Sequence, residues 1–215
     1  MKRKRFGIFI VVLLCLTVCV IACVKRMTPV SNADYSVTVG SQVLPFADYP
    51  VGSYFTDNGK PCKDHMVCKA GASLYDEDAC NCKCTWNDIA LNSTSCYGFA
   101  NMVFYRLFGH TTYSQTSKVV SDISASEIDA SYLYDLFTNG TVKAGAHIRT
   151  RSHSMIFMGC DKSYIYTYEG NYDGHCKVGV IKRSWSQMVK YLKRKKGIDF
   201  IQMPDSYSEN PLTSE

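Results

Sequence analysis

The chain has 215 residues, of which 46% are hydrophobic, 13% aromatic and 20% charged, with a formal net charge of +5. This is the balance of a globular protein and excludes a disordered one; beyond a targeting segment it leaves length for one domain with a real core rather than two. The positive charge gathers at residues 2–5 and 190–196. No basic stripe is interleaved with stacking aromatics, so nucleic acid is not an expected partner.

Residues 7–24 are almost wholly apolar and follow Lys2, Arg3, Lys4 and Arg5. A charged start before an apolar run marks residues 1–26 as a targeting segment, with its basic end inside and the rest of the chain outside the membrane. Val20-Ile21-Ala22-Cys23 closes the run with a small residue before a cysteine, similar to a bacterial lipobox. Two readings lead, with clean secretion the third choice: Cys23 carries a lipid and becomes the mature N-terminus, or the run stays in place as a signal anchor. Both tether the product to the extracytoplasmic face of the cell membrane. Residues 27–48, polar and with Pro29 and Pro45, are expected to be a linker, residues 49–204 the folded domain and residues 205–215 a polar tail.

Of 11 cysteines, Cys15, Cys19 and Cys23 belong to the targeting segment, leaving eight: Cys62, Cys68, Cys80, Cys82, Cys84, Cys96, Cys160 and Cys176. The first five crowd an insert at 60–86 that lacks periodicity. In an exported chain such density favours disulfides. Zinc is the weaker reading. Asp64 and His65 lie nearby, but the cysteines lack the paired spacing of a zinc ribbon. If one of the eight serves as a nucleophile, seven remain, and an odd number leaves at least one more unpaired or bonded between chains.

From Cys96 the pattern turns helical. Phe99, Ala100, Val103, Phe104, Leu107 and Phe108 form a stripe, with Ser93, Thr94 and Ser95 as capping candidates and Gly109 as a stop. A second helix is expected over 123–137. Then the period shortens to strands at 146–150, 153–160, 164–169 and 177–182, with turns at Asp161-Lys162-Ser163 and Asp173-Gly174. Residues 184–195 place Trp185, Met188, Val189 and Leu192 on one helical face, and 199–203 read as a last strand. The class is α+β, with a helix packed on an antiparallel sheet.

A cysteine in the first turn of a helix is biased toward thiolate by the free N–H groups and dipole there. It needs a histidine in reach, and the histidine needs a third group to fix its tautomer. His153 opens a strand. Glu169 and Asn171 are two apart at the end of the next one, so on a continuing strand both leave the same face and one can reach the ring. Seen singly, Cys96 reads as a small core residue, His153 as a satisfied surface histidine, and Glu169 and Asn171 as turn residues.

Together the segments Ser95-Cys96-Tyr97-Gly98-Phe99-Ala100, His153-Ser154-Met155-Ile156-Phe157 and Glu169-Gly170-Asn171 resemble the Cys, His and Glu-x-Asn elements of CHAP-type amidohydrolase/peptidases, within the wider NlpC-type, papain-like group. The resemblance spans about residues 52–203. It implies a papain-like fold in which Cys96 attacks an amide carbonyl, His153 is its base, and Glu169 or Asn171 orients His153. It also implies peptidoglycan or another amide as substrate, and no metal or other cofactor; a monomer is expected. Where the family often has Gly-Asp before the histidine strand, this chain has Gly145-Ala146-His147, which makes His147 a rival base. Two other functions stay open: a tethered binding or adhesion module without turnover, and a cysteine peptidase or acyl transferase acting on other amides.

Overall fold

The computed structural model describes residues 29–32, 34–56, 59–61 and 95–207. The targeting segment, Cys62, Cys68, Cys80, Cys82 and Cys84 with Asp64 and His65, the capping candidates Ser93 and Thr94, and residues 208–215 lie outside them. Among the described residues no helix is long and apolar enough to cross a membrane.

The architecture is α+β. A seven-stranded antiparallel sheet runs in the order β1 (Pro29–Val30), β8 (Val178–Ser184), β7 (Tyr164–Gly170), β6 (His153–Cys160), β5 (His147–Thr150), β9 (Gly197–Pro204) and β4 (Thr116–Ser124). A small hairpin of β2 (Val37–Val39) and β3 (Gln42–Leu44) stands beside it. Three helices, α1 (Ser95–Phe108), α2 (Ala130–Thr138) and α3 (Trp185–Arg194), cover its faces.

The strands alternate, so their buried side chains divide between two cores. On one face Ile156, Met158, Tyr166, Tyr168, Val178 and Val180 pack with Phe99, Met102 and Val103 of α1 and with Val39, Leu44, Phe46 and Phe55. On the other, Ile148, Met155, Phe157, Ile165 and Ile201 pack with Leu133 and Phe137 of α2 and with Trp185, Met188 and Leu192 of α3. Capping matches this layout. Asp129 accepts from the Tyr132 N–H at the start of α2, and Ser184 and Gln187 form a reciprocal capping box at the start of α3.

Three expectations need correction. Residues 29–48 are not a linker: Pro29 and Val30 pair with Ile181 and Val180 of β8, and Val39, Leu44 and Phe46 are core residues. The expected helix over 123–137 begins only after Asp129, because its first part continues an edge strand, β4, that pairs along β9. Residues 205–207 start the tail but are docked: the Asp205 N–H donates to the Gln115 carbonyl, and the Tyr207 hydroxyl donates to the Ala144 carbonyl.

Gly170 sets how closely α1 approaches the sheet. A Cβ there would stand 2.5 Å from Phe99 Cβ. Gly170→Ala should therefore push α1 off β7 and cost about 1–3 kcal/mol, read as a lower urea midpoint.

Candidate active site

The site lies at one end of β6, where the two faces of the sheet meet. Cys96 is in the first turn of α1 and retains 8% exposure. His153 starts β6 after the two-residue turn Arg151-Ser152. The Thr150 hydroxyl holds that turn, accepting from the His153 N–H and donating to the His153 carbonyl, both at 3.1 Å. His153 is 6% exposed, and its ring is hydrogen-bonded to the Cys96 thiol.

Glu169 supports the ring from β7. Its Oε2 lies 2.8 Å from His153 Nε2, which leaves Nδ1 for the sulfur. Glu169 is 1% exposed, and its Oε1 accepts from Thr167 Oγ1 and from Arg183 Nη1. Arg183 is equally buried, donates also to Thr167 Oγ1 at 2.8 Å, and lies 4.4 Å from the centre of the Tyr191 ring. A row of alternating charge thus runs Arg183, Glu169, His153, Cys96.

Asn171 lies elsewhere. β7 ends at Gly170, and Asn171 has φ 59, in the left-handed region where strand alternation no longer holds. Its Oδ1 accepts from the Cys176 N–H at 3.0 Å. It is Glu169 that contacts His153. His147 is fully buried, and its two ring nitrogens meet Gln202 Oε1 at 3.4 Å and Ser154 Oγ at 3.0 Å. Burial holds it down to about 3, a neutral ring already engaged on both sides. Cys160, outside the site, is a free thiol whose S–H donates to the Phe137 carbonyl at 3.6 Å.

Electrostatics favours the charged pair. Burial pushes the Cys96 thiol up, but the His153 charge and hydrogen bond, the Ser154 N–H and the Arg149 charge outweigh it and bring the thiol to about 6. Burial pulls His153 down, while the Cys96 thiolate and then Glu169 raise it to about 9. Burial pushes Glu169 up, and Arg183 and His153 hold it at about 2. Between about pH 6 and 9 the site holds a thiolate beside an imidazolium, the reactive form of a cysteine nucleophile.

Sequence reasoning missed Arg183 and Thr167. A usable signal is register: Ile165 pairs with Arg183 and Thr167 with Ile181, so both polar side chains share the Glu169 face. Among the described residues no group of His, Cys, Asp and Glu side chains could hold a metal ion. No protein-family model, curated protein or solved structure matches the chain.

Alkylation of Cys96 by iodoacetamide should titrate with a midpoint near pH 6. His153→Ala should move that midpoint upward, with mass spectrometry confirming which thiol reacts. Arg183→Met strands an ionised buried carboxylate and should cost about 3–5 kcal/mol in urea unfolding, with Arg183→Lys recovering part. The Glu169 value is depressed from its ordinary 4.5, so its contribution to stability is full above pH 4.5 and is lost as the pH falls toward about 2. The unfolding midpoint of the unaltered chain should decline across that window.

Proposed function

We propose that the chain is an exported, membrane-tethered cysteine hydrolase of papain-like, CHAP/NlpC type that cuts amide bonds in peptidoglycan. The observation that carries this reading is the buried Cys96–His153–Glu169 row, with the sulfur at a helix start and the imidazole held on its far nitrogen by a carboxylate. The N-terminal basic and apolar run supports the tether. The order of the Cys, His and Glu elements supports the family.

The chemistry follows from the groups present. The Cys96 thiolate attacks the amide carbonyl carbon, and the π electrons move to oxygen. The Cys96 N–H, in the first turn of α1, donates to that oxyanion. The tetrahedral centre collapses, and His153 gives its Nδ1 proton to the departing amine, leaving a thioester. His153, now neutral, takes a proton from water as the water attacks the thioester. Collapse of the second intermediate expels the thiolate, releases the carboxylic acid and leaves His153 protonated. Glu169 keeps Nε2 protonated throughout and stabilises the imidazolium at both ends of the cycle.

Cys96→Ala should abolish cleavage of purified cell walls while leaving the circular dichroism spectrum unchanged. His153→Ala should lower kcat by on the order of 10²- to 10⁴-fold. The rate should rise with pH as the thiolate forms near 6 and fall as the imidazolium is lost near 9. Equal cleavage by the unaltered chain and Cys96→Ala, or no cleavage by either, overturns the proposal.

A further inference from the structure

Two cations lie near the reacting pair; Arg149 helps lower the Cys96 thiol, but neither makes or breaks a bond or moves a proton in the hydrolytic cycle. Arg149 on β5 is half-buried. Its Nη1 donates to Ser154 Oγ at 3.0 Å, and its guanidinium carbon lies 4.9 Å from the centre of the Tyr97 ring. Tyr97 follows Cys96 and Ser154 follows His153, so Arg149 rests on the immediate neighbours of both reacting residues. Lys195, also half-buried, stands at the C-cap of α3. Its Nζ is 5.8 Å from the centre of the Tyr191 ring, and that ring meets the His153 ring edge-on at 6.3 Å between centroids. One cation therefore approaches from the cysteine side and the other from the histidine side.

Among the described residues, neither cation is ion-paired with a carboxylate. Glu169, the carboxylate in the site, is taken by Arg183 and His153. Half-buried cations without a counter-ion are costly to keep, and this chain supports one of them with a dedicated network. With Nδ1–H of neutral His147 donated to Gln202, His147 Nε2 accepts the Ser154 hydroxyl proton. The Ser154 oxygen is then left to accept from Arg149. Gln202 is fixed in turn by donating to the Thr112 carbonyl at 3.3 Å. Burial pulls Lys195 below its ordinary value; the Cys96 thiolate and Glu169 oppose this, while Arg194 and Arg149 push the same way as burial. Lys195, Arg149 and the thiolate thus lie within one another's field.

We infer that Arg149 and Lys195 together bind a carboxylate on the substrate residue flanking the scissile amide, so that the site selects anionic peptides. The inference rests on the proposed hydrolase for the identity of the cut bond, and on the two cations for the anion. Arg149 supplies a planar donor fork and Lys195 a point charge, a combination suited to one carboxylate held at a fixed distance from the sulfur.

The test uses the full-length chain in detergent and two probes: a cross-linked peptidoglycan stem peptide with its free carboxylates, and the same peptide with these converted to carboxamides. Binding to Cys96→Ala is measured by calorimetry. The free-carboxylate form should bind on the order of tenfold tighter or more, as expected for charge-assisted hydrogen bonds. Arg149→Gln and Lys195→Gln, each added to Cys96→Ala, should bring the ratio toward one, and Arg149→Lys should restore part of it. In the active chain the same preference should appear mainly in KM. Equal binding of the two forms, binding of neither, or a preference that survives both substitutions overturns the inference, even if both probes are cut. A rise in the Cys96 titration midpoint in Arg149→Gln with the ratio unchanged also overturns it, since Arg149 would then serve the thiolate alone. A binding preference without cleavage keeps the anion site and overturns the hydrolase instead.

Discussion

Everything in this molecule has to accommodate one ionised carboxylate with 1% exposure. An isolated carboxylate in such a place carries a desolvation cost of several kcal/mol, which only close, well-aligned partners offset. Glu169 has three: Arg183 from β8, Thr167 two residues back on its own strand, and His153 from β6. They converge because β6, β7 and β8 are consecutive in the sheet and in antiparallel register. A slip of one residue in β8 would turn Arg183 to the opposite face and leave Glu169 without its cation. Fold specificity and thiol reactivity therefore depend on the same ladder.

The site also ties together layers that would otherwise be independent. Cys96 belongs to the helix packed on one face of the sheet. Thr167, Glu169 and Arg183 belong to the other face, with Tyr191 of α3 over the guanidinium. His153, at the very start of β6, is where they meet. Gly170 lets Phe99, in the same helix three residues after Cys96, sit close against the strand. Changes in either core reach the Cys96–His153 contact through backbone that is short and heavily hydrogen-bonded.

Much of this was legible in the residues. The strand from His153 to Cys160 and the helix beginning with Trp185 follow from local periodicity and capping, and Glu169 is a candidate because it lies at the end of the next strand, two residues from Asn171, in a Glu-x-Asn element. What escaped depends on pairing at a distance. β4 is a solvated edge strand rich in serine, with little alternation to reveal it, and it exists because β9 lies beside it. Arg183 in Lys182-Arg183-Ser184 reads as the polar end of a strand, and only its register opposite Ile165 turns it inward. Placing Asn171 and Glu169 on one face requires the strand to continue, whereas it ends at Gly170 and Asn171 is left-handed. The composition of residues 29–48 is that of a linker, and composition does not show that Leu44 and Phe46 have a core to enter.

The two-residue strand β1 bears on how far the domain can reach. A linker through residue 48 would have allowed a wide sweep from the membrane surface. Pro29 is instead already fastened to β8, and four residues separate it from the end of the apolar run at Val24. Fully extended, that stretch spans less than about 20 Å. On the proposed reading the domain is moored on a short leash: it works on material within a thin layer next to the bilayer, and distant polymer has to be carried to it.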